Sequence, residues 1–450
     1  MERYDSYKDS GVEWIGEIPS HWNFGDMRYQ LSNNDGGVWG KDIEGDNEGT
    51  FVIRSTEITI DGKWDLSDPM RRLLSNSEIE KTLLFEGDIV LTKSSGSPDH
   101  IGKSVIVNSK VENLKCCYSN FVQRIRFKKS NPKLYHYILN NYIVREQYRY
   151  LTQSSTGLGN LNGTTLNEVK LPFIPLSEQQ QIVSFLDNKT TLIDSLIEKT
   201  QQKIELLKEK RTSLINEVVT KGLNPNVEMK ESGVEWIGEI PSHWEIKRVK
   251  HLIEDDGGIK IGPFGSSLKL DTLTDDGIKV YGQGNVIKDD FTLGHRHIPI
   301  ERFESDFSQY EILEGDILIT MMGTTGKSKV FKREFKRGIL DSHLLRLRFK
   351  RNSFLSDLFV TTLQESDYVF HQLKLNSKGS IMEGLNSSIV KELILLTPPI
   401  SEQQKIVEYL DEQTGLIDKT ISIEEKRIEL LKEYRQSLIS EVVTGKRKVV

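Results

Sequence analysis

Leu176–Thr220 reads LSEQQQIVSFLDNKTTLIDSLIEKTQQKIELLKEKRTSLINEVVT, and Ile400–Thr444 reads ISEQQKIVEYLDEQTGLIDKTISIEEKRIELLKEYRQSLISEVVT. The two stretches align without a gap and agree at 27 of 45 positions. Apolar residues recur at steps of three and four: Ile182, Leu186, Ile193, Ile197, Ile204, Leu207, Leu214 and Val218 in the first copy. The second carries Ile406, Leu410, Ile417, Ile421, Ile428, Leu431, Leu438 and Val442. Charged residues fill the opposite face, and Gly415 is the one helix-weakening residue in either run. A seam sustained over four to five heptads is the mark of a coiled coil rather than of a helix lying on a globule. At 1.5 Å per residue, about 44 residues reach roughly 66 Å. Ser177 with Gln180, and Ser401 with Gln404, fit a capping box, in which serine accepts a backbone N–H and glutamine reaches back. Pro172, Pro175, Pro398 and Pro399 lie just upstream, where a helix can begin but not continue. Two such seams on one chain can pack antiparallel, which gives the chain a pseudo-twofold repeat.

Outward from the helices the duplication continues. SGVEWIGEIPSHW at Ser10–Trp22 recurs unchanged at Ser232–Trp244, an offset of 222. Glu86-Gly87-Asp88-Ile89 is matched by Glu314-Gly315-Asp316-Ile317, and Arg124-Ile125-Arg126-Phe127-Lys128 by Arg346-Leu347-Arg348-Phe349-Lys350. Between these anchors the halves share little. The chain therefore reads as two variable domains, 1–172 and 223–397, each followed by a shared helical region, 173–222 and 398–450. Both variable domains read as mixed α/β (α+β), with strand-like runs at Thr50–Ile53, Val122–Phe127 and Leu344–Phe349 and long Gly/Ser/Thr/Asn/Lys-rich segments between strands.

Composition bounds the function. The 450 residues are 36% apolar and 28% charged, the profile of a soluble globular protein of about three units. No apolar run approaches the roughly 18 residues of a membrane helix, and the first 30 residues hold no signal-peptide core. Cys116 and Cys117, adjacent and the only cysteines, exclude an internal disulfide framework, which fits a cytoplasmic protein. The net charge of −6 hides two basic stretches: Lys327–Arg351 has ten Lys and Arg against Glu334 and Asp341, and Lys103–Lys133 has eight against Glu112. These lie at matching places in the repeat and suit a polyanionic partner.

Catalytic signatures are missing. Gly323-Thr324-Thr325-Gly326-Lys327-Ser328 resembles the end of a phosphate-binding loop, but Met321 stands where its first glycine belongs. Asn131-Pro132-Lys133-Leu134 is not the NPPY-type motif of adenine methyltransferases, and the nine histidines show no metal-ligand spacing. The competing reading is a coiled-coil scaffold that binds only protein.

The repeated GVEWIGEIPSHW, the EGDI strand start and the SEQQ-x-IV-x-x-LD helix start followed by IELLKE resemble the DNA-specificity subunits of type I restriction-modification systems, over essentially the whole chain. That resemblance implies two target recognition domains, each reading half of a bipartite, asymmetric double-stranded DNA site. It implies an antiparallel helical pair that sets the spacer and docks two modification subunits, with seam residues Ile193, Ile197, Ile204, Leu207, Leu214, Ile417, Ile421, Ile428, Leu431 and Leu438. No cofactor is then expected on this chain. S-adenosylmethionine is expected in the modification subunits, and ATP and magnesium in the restriction (motor-nuclease) subunits. The expected DNA contacts are Lys93, Ser94, Ser95, Lys103, Arg124, Arg126 and Ser155 in the first domain. In the second they are Lys260, Phe264, Ser266, Gln283, Asn285, Thr324, Lys327, His343, Arg346 and Arg348. The paired strand arginines are read as a phosphate track, with salt bridges to nearby carboxylates as the alternative.

Overall fold

The computed structural model describes residues 2–13, 15–43, 48–128, 130–152, 160–263, 267–268, 273–376 and 385–449. It divides into two units, residues 1–201 with 426–450, and residues 202–425.

In the first unit a four-stranded antiparallel sheet has the order Leu31–Gly36, Val122–Phe127, Ile89–Thr92, Ser104–Ile106. Alternation along its strands divides two cores. Ile89, Leu91 and Ile125 face the helices Pro132–Leu139 and Tyr142–Leu151, whose Leu134, Tyr135, Ile138 and Tyr148 complete the larger one. Val90, Val105 and Val122 face the other way, onto Ile53 and Tyr118 of a second sheet, Met70–Arg72, Thr50–Ile53, Cys117–Tyr118. Cys116, a buried free thiol, belongs to this smaller core, and Cys117 beside it is a second buried free thiol. The strands Asn23–Asp26 and Lys170–Phe173 pair separately.

The second unit repeats this plan. Its four-stranded sheet runs Ile259–Ile261, Leu344–Leu347, Ile317–Thr320, Ser328–Val330, again antiparallel throughout. A second sheet runs His297–Ile298, Ile278–Tyr281, Gly338–Leu340, Glu311–Ile312, and Glu245–Arg248 pairs with Ile394–Thr397. Ile317, Ile319, Leu345 and Leu347 face the larger core, while Leu318 and Leu344 face an aromatic one with Tyr281, Phe291 and Phe331. Two domains that share little sequence thus share strand order and register.

The long helices are Leu176–Lys221 and Ile400–Val443. In the first unit, residues 431–443 of the second helix join the core of Ile182, Leu186, Ile193 and Ile197, and Arg435 pairs with Asp194 at 2.8 Å. In the second unit, Lys203 pairs with Glu424 and Arg211 with Asp418. Within the second unit the numbers fall on one helix as they rise on the other, so the two helical segments there run antiparallel. Each helix begins at the residue before its serine, so Ser177 and Ser401 lie inside rather than at the cap. This corrects the capping-box expectation: Gln180 accepts from Asn131 Nδ2 at 3.0 Å instead of reaching back. The neighbouring glutamines play one role in both copies. Gln179 donates to Ile174 O and accepts from Asn131 N, and Gln403 donates to Pro398 O and accepts from Leu355 N.

The two duplicated motifs meet. Trp22 and Trp244 are fully buried. Glu178 of the first helix start accepts from His21 Nε2 (2.7 Å), Tyr4 Oη (3.0 Å) and Trp22 Nε1 (3.2 Å), and Glu402 meets His243 Nε2 at 2.8 Å. Burial and the Glu178 carboxylate push the Tyr4 phenol well above its ordinary value. SHW and SEQQ are identical in both halves because they form one joint between domain and helix, made twice.

Candidate nucleic-acid interface

In each four-stranded sheet two strands end at the same rung, Val122 opposite Thr92 and Leu344 opposite Thr320. One residue further, the pairing continues through a single bond: Lys93 N donates to Phe121 O (2.8 Å) in the first unit, and Met321 N to His343 O (3.1 Å) in the second. The chain then opens into loops, and these loops hold Lys93, Ser94 and Ser95 in the first unit and Thr324, Lys327 and His343 in the second.

In the second unit three loops converge. Gln283 follows the strand Ile278–Tyr281, and its Oε1 accepts Met322 N at 3.2 Å, which ties it to the 321–327 hairpin loop. The N–H of His343 donates to Asp341 Oδ1 (3.0 Å), while Asp341 Oδ2 holds Arg296 at 2.8 Å. Gly282, Gln283, Arg296, Asp341 and His343 line one open cavity of about 310 Å³. Thr324 and Lys327 are exposed on the adjoining loop, which is closed by Lys327 N donating to Thr320 Oγ1 at 3.1 Å. Gln283, Thr324, Lys327 and His343 are therefore brought together. Asn285 is not a free reader: its Oδ1 accepts Gly282 N, and its Nδ2 donates to Asp290 O and Leu293 O, so it holds the turn. Lys260 stands on an edge strand, with Nζ donating to Gln309 at 2.6 Å above the Tyr310 ring.

In the first unit Lys93, Ser94 and Ser95 follow Ile89–Thr92 at the equivalent sheet end. Ser94 bridges Asn160, Leu161 N donates to Lys93 O, and Ser95 Oγ accepts Ser97 N. Lys103 is buried, so its ammonium does not stand at the surface, and burial, reinforced by Arg145, pushes it below the ordinary lysine value. Ser155, Phe264 and Ser266 lie outside the described residues.

The arginines of the repeated strand motif are corrected outright. Asp88 and Asp316, the aspartates of the two EGDI motifs, are buried, and each turns its carboxylate onto the neighbouring strand. Asp88 pairs with Arg126, and Asp316 accepts Arg348 Nε (2.6 Å) and Nη2 (2.7 Å). The same aspartates accept the backbone N–H of Phe85 and Leu313, closing turns in which Gly87 and Gly315 adopt φ of +87° and +86°. Arg124 is buried against Asp35 and the carbonyls of Leu83 and Lys81, and Arg346 against those of Glu311 and Gly257. These four guanidiniums are internal struts, not a phosphate track. Much of the basic Lys327–Arg351 stretch is likewise paired: Lys329 with Asp289, Arg337 with Glu311, Lys350 with Asp255.

Sequence reading missed Phe121, Trp39, Met322 and Arg296. Phe121 and Met322 are exposed hydrophobics at the loop mouths, and Trp39 meets the Phe121 ring edge-on at 6.4 Å. A lone apolar residue in a polar loop carries no periodic signal, so only the topology reveals its position. The second-unit cavity gathers an amide, a guanidinium paired with Asp341 and an imidazole, and amides and guanidiniums are side-chain types able to bond base edges. Among the described residues no group of three or more His, Cys, Asp or Glu is placed to hold a metal, and no helix is long and apolar enough to cross a membrane.

A sequence model described as the type I restriction modification DNA specificity domain matches residues 70–206 and 241–433. The type I restriction enzyme MjaVIII specificity subunit of Methanocaldococcus jannaschii is 23% identical over 414 residues, covering 90% of this chain and 88% of that protein. The type I restriction enzyme EcoKI specificity subunit of Escherichia coli is 22% identical over 409 residues, covering 88% and 82%. A structure from work on complex assembly and conformational transition of the type I R-M system superposes with a TM-score of 0.70 at 14% identity, covering 95% of this chain and 98% of that one.

Proposed function

The chain belongs to the type I restriction-modification DNA specificity family, and from that premise we propose how its parts divide the work of a non-catalytic DNA-recognition subunit. Residues 1–172 and 223–397 are the two target recognition domains, and each reads one half of a bipartite, asymmetric duplex site. The helical regions 173–222 and 398–450 set the spacer and dock two modification subunits. Those partners bring S-adenosylmethionine, and restriction subunits bring ATP and magnesium, all in the cytoplasm.

The observation that carries this reading is the convergence of polar loops at one sheet end in each unit, with the second-unit cavity of Gln283, Arg296 and His343 the better formed. Side chains there differ between the units, which supports half-sites of different sequence. Lys93 and Lys327 are the phosphate contacts, and Gln283 and His343 the base contacts.

Adenine methylation mapped by single-molecule sequencing, in a host carrying this gene with its modification partner, tests the reading. A split, asymmetric motif that requires the gene is the expected result; well-expressed partners with no motif would leave a protein-only scaffold. Gln283→Ala is expected to relax one position of one half-site by about 5- to 100-fold in discrimination. Lys327→Ala should instead weaken all sites alike and flatten the salt dependence by about one unit of slope. A seven-residue insertion in both helices adds about 10.5 Å of rise, roughly three base pairs of duplex. An unchanged spacer in the methylated motif would rule the helices out as its measure.

A further inference from the structure

We propose that Phe121 is a specificity-determining residue of the first recognition domain, reading the 5-methyl group of a thymine in the major groove. The inference rests on the function proposed above and goes beyond it in naming the residue and the group it reads.

An exposed phenylalanine alone says little, because single surface hydrophobics are ordinary. Its address singles this one out. Phe121 and His343 occupy the same rung of the repeated fold, each accepting through its carbonyl the N–H that follows the neighbouring strand, from Lys93 and Met321 respectively. In the second unit that rung borders the polar cavity of Gln283 and Arg296. In the first, the same position carries an apolar ring that is 48% exposed.

The ring is also held from behind. Trp39 meets it edge-on, and Trp39 is itself fixed: Val38 N donates to Tyr118 O at 2.9 Å, and Arg72 Nε donates to Trp39 O at 3.1 Å. The Arg72 guanidinium lies 4.6 Å from the Trp39 ring centre. A Cβ at Gly37 would stand 2.1 Å from Tyr118 O, so the loop under Trp39 has no freedom to retreat. A preorganised apolar face beside Lys93 meets the one apolar group that base pairs display in the major groove, the thymine methyl.

The complete complex of this chain with its modification subunits is titrated with duplexes bearing its methylated motif, each thymine replaced in turn by deoxyuridine, which lacks only that methyl. For the wild-type chain, one substitution in one half-site is expected to weaken binding about four-fold, the worth of one buried methyl. With Phe121→Ala that position should become indifferent to the methyl while the other half-site keeps its full discrimination. Equal sensitivity to deoxyuridine in Phe121→Ala and wild type, or no sensitive position in the wild type, would overturn the assignment. A uniform loss across every duplex with discrimination intact would overturn it too, by marking Phe121 as a support for the loop. If the wild-type complex yields no motif at all, the functional reading itself fails and takes this assignment with it.

Discussion

Replacing Asp316 with alanine lowers the stability of the second unit by about 3–5 kcal/mol, the cost of leaving buried cations without their counter-charge. Asp316 is 1% exposed and accepts Arg348 twice and Leu313 N once, at 2.6, 2.7 and 2.7 Å. Its carboxylate is also the nearest acid to Arg346, 3.9 Å away. Arg346 is buried, and burial, with the charge of Arg348 beside it, already pushes its guanidinium below the usual arginine value. Removing Asp316 therefore strands the buried Arg346, leaves Arg348 only the more distant Glu254 at 3.9 Å, and unties a turn. Asp88→Ala should cost less, because Arg124, the equivalent of Arg346, is held by a different acid, Asp35 at 2.9 Å, and keeps it. Urea unfolding of both variants measures the order. A loss under 1 kcal/mol for Asp316→Ala, or a larger loss for Asp88→Ala, would show that these aspartates are not the struts described.

Trp22→Ala and Trp244→Ala should each cost about 3–5 kcal/mol, since each empties a fully buried indole site. The sharper comparison is with phenylalanine, which keeps most of the ring. Trp22 Nε1 donates to Glu178 at 3.2 Å, whereas Trp244 Nε1 has no partner among the described residues. Trp22→Phe thus loses a hydrogen bond to a carboxylate, worth about 1.5–3 kcal/mol, that Trp244→Phe does not lose. Partial relief comes from His21 and Tyr4, which still satisfy Glu178. Denaturant melts of the two phenylalanine variants should therefore separate by at least about 1 kcal/mol, with Trp22→Phe the weaker. Coincident melts would mean that the indole contributes only volume at both joints.

What the sequence made legible was whatever is local or repeated. The helices and their seam are written in a 3.6-residue period, and Ile193, Ile204, Ile417 and Ile428 are buried along it. The domain plan showed itself as self-similarity. The arginine motif failed for a reason equally physical: Asp88 and Arg126 are 38 residues apart, and only strand pairing brings them together. Both partners had been seen to repeat, and reading the two repeats jointly, an acid and a base preserved in step, would have suggested the pair. Lys103 failed similarly, because a cation in a basic stretch looks exposed until the strand beside it is placed. Phe121 and Arg296 left no trace, since their importance lies in which sheet end they occupy.

The interlaced boundaries also govern the order in which the fold can be completed. The first unit is closed by residues 426–450, where Lys448 N donates to Glu2 O at 3.0 Å and Leu438, Ile439 and Val442 fill the core around Ile182 and Leu186. During synthesis those residues leave the ribosome only after all of residues 202–425. The domain made first must therefore wait, with an apolar groove uncovered, while the whole of the second is translated. At roughly 5–20 residues per second, the 249 residues from 202 to 450 take on the order of 12–50 s. Nascent-chain protection over that interval is thus a burden set by the topology itself, and it falls on the amino-terminal half alone.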